Sequence, residues 1–405
     1  MKKIVTLLAV IVLVSCGKAD YDPQEVVPGL GTKSSSEITL AMNDFSFDLL
    51  HQCYQSGRDL ALSPMSLSMA LSMAADGAQG KTLSEMMKVL GFSGFKQKDL
   101  DEYNRQLLLH LKNVDPEVTF ASANSMWLQE GFTPKAAYVE QVVNYYSSVV
   151  KSINFYDKEN ALKEINGWCS ERTDGMVPQF LKDNKNQAPV MMLLNALFLE
   201  AKWAKIEGCP PPSLHYLKFK EESGKSSYVN SLFNYMPVLY SEDKEAQMIR
   251  LFLGDGAYAL TLLLPKEDVK LNDFQKSLNA KKWMNYVSGL KETLGKIAFP
   301  MMEIDFDASM RDFLKYMGMK EALSPLADFT LISDAGLFIE EVRQSVKVTV
   351  NTEGVKAAAI SSVYFGETGM PKEIDCLFAA DHPFIFAIEE TKSGAILFIG
   401  NKSAI

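Results

Sequence analysis

The sequence has 405 residues and a formal net charge of −9 at pH 7, with 41 Lys and Arg against 50 Asp and Glu. This acidic balance argues against a nucleic-acid-binding protein. Hydrophobic residues make up 47% of the chain, enough for a sizeable core. The four His and five Cys show no metal-ligand spacing, so we predict no metal site and no cofactor.

The N-terminal residues have the pattern of a secretory signal. Lys2 and Lys3 precede an apolar run, residues 4–14, that ends at Ser15 and Cys16. Residues 13–16 resemble the bacterial lipobox, in which the cysteine is diacylated and becomes the mature N-terminus; the alternative is a plain signal peptide that stops at a cysteine by chance. We therefore predict a signal peptide over 1–15 and a lipid on Cys16. The expected location is the bacterial cell envelope, as an outer-membrane lipoprotein, with surface exposure as a hypothesis.

Residues 16–36 are predicted to form a flexible linker. They contain prolines, glycines and the run Ser34-Ser35-Ser36, and they lack a periodic apolar pattern. After Cys16, no stretch approaches the roughly 20 apolar residues that a membrane-spanning helix needs. Residues 37–405 show no internal linker and are predicted to form one domain, which the lipid alone joins to the bilayer.

Periodicity predicts helices early in the chain and strands late. A mixed order of this kind indicates an α+β fold rather than a βαβ repeat. The strand predicted at 189–199 is apolar on both faces, as a covered central strand must be. Predicted helices are at 38–50, 64–75, 82–90, 134–146, 159–172, 271–287 and 309–316; predicted strands are at 118–128, 189–199, 258–264, 297–304, 337–350, 383–389 and 395–400.

Catalytic motifs are absent from the sequence. Residues 77–82 end in the Gly-Lys-Thr of a phosphate-binding loop, but Ala75 stands where that loop needs glycine, and a helix precedes it instead of a strand. There is no GxSxG elbow, and His382 lies in a turn with no serine motif to serve. We predict no enzymatic activity. A sugar-binding lipoprotein, using Trp203 and the tyrosines, is a weaker alternative.

The segment from Gly354 to Tyr364 has an unusual composition. If it became a strand, alternate side chains would point to opposite faces. One face would carry Val355, Ala357, Ala359, Ser361 and Val363, which are small and uncharged; the only charge, Lys356, would fall on the other face. Such a segment could be accepted by an existing hydrophobic interior. An ordinary alanine-rich surface loop is the alternative interpretation.

Residues 352–359 (Thr-Glu-Gly-Val-Lys-Ala-Ala-Ala) resemble the proximal hinge of serpins, with Thr352 replacing a glutamate and Val355 a threonine. Other blocks resemble the same family in the right order, over nearly all of residues 37–402. Between residues 204 and 250 the resemblance fails and strand boundaries are left open. The matching blocks are at 62–66, 77–82, 123–124, 165–168, 194–198, 203, 263–265, 299–300, 317–319, 378–386 and 396–400.

The resemblance implies a serpin fold of three β-sheets and eight or nine helices, with an exposed reactive-centre loop. It also implies a monomeric suicide inhibitor of serine proteases, with cysteine proteases as a second target class, that forms a covalent 1:1 complex. The alternative is a non-inhibitory serpin, acting as a binding or carrier protein or as a simple protease substrate.

The resemblance also assigns site residues. The reactive bond is placed at Thr368-Gly369, with Met370 as the alternative; Lys372 after Pro371 makes a trypsin-like target less favoured. Gln344 occupies the position of the histidine usual in the shutter region. The hinge residues are Glu353, Gly354, Val355, Lys356, Ala357, Ala358 and Ala359; the shutter and breach residues are Ser63, Ser66, Asn195, Gln344 and Trp203.

Overall fold

A computed structural model describes residues 30, 32–173, 175, 179, 181, 189–355 and 375–405. Nine helices and fifteen strands lie within these residues. The helices are α1 Lys33–Cys53, α2 Pro64–Ala75, α3 Gly80–Val89, α4 Gln97–Asn113, α5 Ala136–Tyr146, α6 Lys158–Arg172, α7 Leu271–Lys276, α8 Ala280–Ser288 and α9 Arg311–Met317. The strands are β1 Leu60–Leu62, β2 Val118–Gln129, β3 Val149–Ile153, β4 Met191–Lys202, β5 Ser213–Lys220, β6 Ser226–Glu242, β7 Ala246–Leu253, β8 Tyr258–Pro265, β9 Lys291–Pro300, β10 Met302–Ser309, β11 Glu341–Asn351, β12 Gly354–Val355, β13 Cys376–Ala379, β14 Phe384–Glu390 and β15 Ile396–Lys402.

The main sheet has six strands in the order β10-β11-β12-β4-β2-β3. Its centre is β4, in which every residue from Met191 to Leu199 is buried. β11 pairs with β4 in parallel over only five residues, and the two-residue strand β12 lies between them at one end. Both faces of β4 are covered, as its continuous apolar sequence predicts.

The second sheet has nine strands, in the order β1-β15-β14-β8-β7-β6-β9-β13 with β5 paired to β6. The 17-residue strand β6 joins two sections of it. Its first part pairs with β5 and its last residues pair with β7, while β9 follows it along most of its length. The three predicted sheets correspond to the six-stranded sheet and these two sections, so the predicted α+β serpin fold is confirmed.

Helix α2 lies between the two sheets, where it contacts β2, β4 and β15. All twelve of its residues are buried. Pro64 is at its first turn, where a missing N–H removes no helical hydrogen bond. On the opposite face of the six-stranded sheet, α6 packs Trp168 edge-on against Trp127, with ring centroids 5.9 Å apart. The sheet is therefore covered by a rigid buried helix on one side and by α6 on the other.

The structure corrects three predicted boundaries. The single helix predicted at 271–287 is two helices, because Asn279 caps α8 by accepting a hydrogen bond from Lys282 N at 2.8 Å. The strand predicted at 297–304 is divided between β9 and β10 at Met301. Residues 33–36 of the predicted linker are helical, since the Thr32 side chain caps α1 by accepting from Ser35 N.

The region left open between residues 204 and 250 forms β5, all of β6 and the start of β7. Within the described residues, no helix is both long enough and apolar enough to cross a membrane. The division into residues 1–15, 16–36 and 37–405 stays a prediction apart from the α1 boundary, because residues 1–29 lie outside the described ranges.

Candidate functional site

The first hinge residues lie inside the six-stranded sheet. Gly354 and Val355 form β12, which pairs antiparallel with Asn351 and Val350 of β11 on one side and with Lys202 and Ala201 of β4 on the other. The Val355 side chain is 2% exposed and belongs to the main core. β11 and β4 are thus already separated at this end of the sheet, and the start of the hinge fills the gap.

Glycine is the only residue type that fits at position 354, between the two strands. Its φ is +152°, and a Cβ there would lie 2.1 Å from the carbonyl oxygen of Ala201 and 2.7 Å from Cα of Lys202. These are backbone atoms, which cannot move aside as a side-chain end can. The hinge therefore enters the sheet through close backbone contact that any larger residue would prevent.

Trp203 and Asn351 hold the turn that leads into the hinge. The indole Nε1 of Trp203 donates to the carbonyl oxygen of Asn351 at 2.9 Å, and the backbone N of Trp203 donates to that of Glu353 at 3.2 Å. Asn351 Oδ1 accepts from the backbone N of Glu353 at 2.8 Å and of Gly354 at 3.3 Å. The Trp203 ring meets Phe299 edge-on, with centroids 6.3 Å apart.

Four predicted shutter residues come together where β11 contacts β4. Gln344 accepts from the backbone N of Ser63 at 3.2 Å and donates to the carbonyl oxygen of Ser63 at 2.8 Å. Ser63 Oγ donates to the carbonyl oxygen of Leu397 at 2.9 Å, and Ser66 Oγ bonds to Ser63 Oγ and to Asn195 Oδ1. All four side chains are buried. Their part in strand opening stays a prediction.

Sequence reasoning missed Asn124 as a member of this cluster. Asn195 Nδ2 donates to Asn124 Oδ1, and the two residues lie opposite each other in the antiparallel pairing of β2 with β4. Asn124 therefore extends the cluster to a third strand. Gln344 of β11, Asn195 of β4 and Asn124 of β2 together form a buried polar row across the sheet. The only signal in the sequence was a short polar side chain within a predicted strand. The structure shows that Asn124 is 2% exposed, and a buried polar side chain requires a hydrogen-bond partner.

Charged groups border the polar row. Glu341, the first residue of the β11–β4 pairing, is buried, and this burial raises the pKa of its carboxyl. Arg343, on the face of β11 opposite to that of Gln344, forms a bidentate pair with Asp307 of β10, at 2.9 and 3.0 Å. This pair fixes β11 to β10, so the strand has a firm partner on the side away from β4.

The remaining predicted site residues fall outside the described ranges. These are Cys16, the hinge residues Lys356, Ala357, Ala358 and Ala359, and the reactive-bond residues Thr368, Gly369 and Met370. His382 lies in a turn, where its ring nitrogens bond to Asp381 Oδ1 at 2.7 Å and to the carbonyl oxygen of Pro265 at 2.8 Å. Among the described residues, no three His, Cys, Asp or Glu side chains are grouped so that they could hold a metal ion.

Comparison with known proteins agrees with the fold. The family model described as serpin (serine protease inhibitor) matches residues 40–404. The chain therefore belongs to the serpin family. It is 27% identical over 373 residues to intracellular coagulation inhibitor 2 of Tachypleus tridentatus, covering 91% of each chain. It is also 28% identical to an uncharacterized serpin-like protein of Thermococcus kodakarensis, over 90% of this chain and 84% of that one.

Solved structures show the same fold. The thermophilic serpin tengpin in its native state matches with a TM-score of 0.81 and 27% identity, over 91% of this chain and 94% of that one. Thyroxine-binding globulin in complex with thyroxine matches with a TM-score of 0.80 at 21% identity, over 91% of this chain and 100% of that one. The family is mostly one of protease inhibitors, with some members that bind other ligands.

Proposed function

We propose that the protein is a suicide-substrate inhibitor of serine proteases that traps its target by inserting a cleaved loop into the six-stranded sheet. The position of β12 is the observation that carries this proposal. Gly354 and Val355 lie between β11 and β4 at one end, while the same two strands are paired directly over Glu341–Ser345 and Met192–Ala196. The entry for an additional central strand is thus already open, and the hinge occupies it.

The direction of the Val355 side chain supports the alternation predicted from the sequence. Val355 faces the core, so if β12 were extended, Ala357 and Ala359 would face the same way. Lys356 would then point to the other face. Insertion would bury small apolar side chains, which is favourable, and would not bury a charge on the core side. It would therefore avoid the large free-energy cost of an unpaired buried charge.

The reaction begins with the protease and ends with the sheet. The target's nucleophile attacks the carbonyl of Thr368, forms an acyl-enzyme ester there, and releases Gly369 as a new N-terminal amine. The freed segment adds backbone pairs to β4 and β11. Fourteen residue steps at about 3.3 Å each carry the attached protease about 46 Å along the sheet, before water can release it.

Resistance to premature insertion comes from the polar row. Before the hinge can advance, the pairs between Glu341–Ser345 and Met192–Ala196 must break. The buried bonds of Gln344 and Asn195 to the first turn of α2 oppose this separation. The native state therefore persists through a kinetic barrier, which is the form of stability that a single-use inhibitor requires.

The test is to mix the protein with elastase-like, chymotrypsin-like and subtilisin-like proteases and to separate the products on a denaturing gel. We expect a 1:1 complex that survives denaturation, and a released C-terminal peptide that begins at Gly369 by mass spectrometry. A peptide that begins at Met370 would assign the reactive bond to Gly369-Met370, and one that begins at Pro371 would assign it to Met370-Pro371. Cleavage by every protease without a stable complex would refute inhibition and favour the non-inhibitory alternative.

We also propose that Cys16 carries lipid and that the protein is displayed on the bacterial outer membrane. The support is the lipobox-like sequence alone. A Cys16→Ser variant should move from the detergent phase to the aqueous phase in a cloud-point partition, whereas Cys209→Ser should partition as the wild type does. Protease treatment of intact cells that leaves the protein uncut would contradict surface display.

A further inference from the structure

A cleft of about 590 Å³ lies between residues 203–212 and the nine-stranded sheet. Its floor includes the buried side chains of Leu232, Ile297 and Phe299, from β6 and β9. Its outer wall is the segment Pro210-Pro211-Pro212, which precedes β5. The strand-insertion mechanism proposed above assigns no role to this cleft.

The outer wall is stiff and anchored, so the cleft does not close by simple collapse. Three consecutive prolines have fixed φ angles and favour an extended polyproline conformation. Asn234 of β6 donates its Nδ2 to the carbonyl oxygen of Pro210 at 3.0 Å, which ties the wall to the sheet. The space beneath is therefore a lasting feature of the native fold.

The two buried polar side chains of the cleft, Asn234 and Arg250, already have protein partners. Asn234 Oδ1 accepts from the backbone N of Tyr235 at 2.7 Å, in addition to its bond with Pro210. Arg250 forms a buried ion pair with Glu389 and donates to Thr261 Oγ1 at 3.2 Å. A charged ligand group placed beside these two residues would lose its hydration and meet a protein charge that is already neutralised, which is costly.

The size and lining of the cleft specify the class of ligand. Ligand pockets commonly occupy about 300 to 1,000 Å³ and are mostly apolar. The aromatic residues Trp203, Phe233 and Phe252 are among those that line this one, and aromatic side chains pack favourably against a planar ring. Lys205 and Glu292 also line the cleft, and because their charges are opposite, together they favour neither an anionic nor a cationic ligand. The best match is an uncharged molecule with fused or linked rings.

One wall of the cleft is also part of the hinge. Trp203 lines the cleft and, through its indole and backbone N–H groups, bonds to the carbonyl oxygens of Asn351 and Glu353. We propose that the cleft binds an uncharged, ring-bearing apolar ligand, and that the ligand holds Trp203 in these contacts and slows further advance of the hinge into the sheet. The effect on the hinge rests on the proposed function; the binding site does not.

The test uses Nile red, an uncharged ring compound whose emission rises in apolar surroundings. We expect saturable 1:1 binding to the purified protein. Ala204→Phe, which adds a ring to the cleft lining, should weaken binding about tenfold or more, equivalent to about 1.4 kcal/mol. Ala137→Phe, at an exposed position of α5, should bind as the wild type does. If Ala204→Phe fails to fold by circular dichroism, Leu239→Phe replaces it.

Absence of saturable binding, or equal affinity in the cleft variant and the control, would overturn the proposed site. Hinge coupling has its own measurement: bound Nile red should slow amide hydrogen exchange at residues 353–355 severalfold, and unchanged exchange would refute the coupling. Neither readout needs a protease, so loss of the proposed inhibitory function would leave both results interpretable.

Discussion

Gln344 and Asn195 lie directly opposite each other in the parallel pairing of β11 with β4, yet their side chains bond to different partners. Gln344 bonds to the backbone of Ser63, and Asn195 bonds to Ser66 and Asn124. The start of α2 therefore joins the two strands through a buried bridge. Moving β11 away from β4 requires this bridge to break.

Replacing Gln344 with Leu tests the bridge. The variant leaves the backbone N–H of Ser63 buried without its partner, which costs about 1–3 kcal/mol, whereas the carbonyl of Ser63 keeps the bond from the backbone N of Leu67 at 3.1 Å. We expect the free energy of unfolding to fall by about 1–3 kcal/mol, measured by urea denaturation of the native state. Gln52→Leu, an exposed position on α1, should change it by less than about 0.5 kcal/mol. Equal stability of the two variants would contradict the bridge.

Replacing Gly354 with Ala tests the hinge position. The added Cβ would meet the backbone of Ala201 and Lys202, so we expect Gly354 and Val355 to leave the gap between β11 and β4. Amide hydrogen exchange at residues 353–355 should rise, and more inhibitor should be cleaved for each complex formed. Gly336→Ala adds a methyl group with no neighbour within 4 Å and serves as the matched control. Unchanged exchange in Gly354→Ala would show that the hinge does not need this close contact.

The direction of the inserted side chains can be tested with a pair of charge changes. If the strand continues beyond Val355, Ala357 faces the core and Lys356 does not. Ala357→Arg should therefore convert the inhibitor into a substrate, since insertion would bury an unpaired charge. Lys356→Glu should still form the gel-stable complex. A reversed result, with trapping lost only in Lys356→Glu, would show that the strand inserts in the other register.

Stability should fall with rising pH because of a buried carboxyl pair. Asp76 at the end of α2 is 7% exposed, and burial, together with the nearby charge of Asp101, raises its pKa to about 9. Between the ordinary value of 3.8 and about 9, the folded state holds a proton that the unfolded state has lost, so folding weakens as pH rises through this window.

The measurement compares urea midpoints at pH 5.5 and pH 8.5. The wild type should be less stable at the higher pH, and Asp76→Asn should reduce this difference because its amide does not titrate. Asp268→Asn, an exposed control, should retain the wild-type difference. An undiminished pH dependence in Asp76→Asn would assign the effect to other groups.

The sequence alone predicted most elements of the fold because their apolar residues are either regularly spaced or continuous. β4 was predicted from a run that is apolar on both faces, and α2 from Pro64 at a first helical position followed by a run rich in Met, Leu and Ala. The break between α7 and α8 was missed, because the cap at Asn279 interrupts a pattern that otherwise continues. Local caps override periodicity at such points.

The site was predictable only in part. Ser63, Ser66, Asn195 and Gln344 were grouped by resemblance, since they are separated by up to 281 positions in the chain and no local pattern links them. Asn124 was missed because cross-strand register decides its partner. The apolar cleft under Pro210–Pro212 lies in the region where resemblance failed, and it depends on how β5 and β6 pair.

Under the proposed insertion mechanism, the short pairing of β11 with β4 would limit how long the active form lasts. Glu341–Ser345 is a five-residue contact, and spontaneous opening of it would let the hinge advance without any protease, leaving a molecule that can no longer react. Unfolding rates typically rise about 3–6-fold for every 10 °C, and we expect the rate of this opening to rise with temperature in the same way. Warm surroundings would therefore exhaust the active form by ageing, even where no target is present, and the cell would have to replace it.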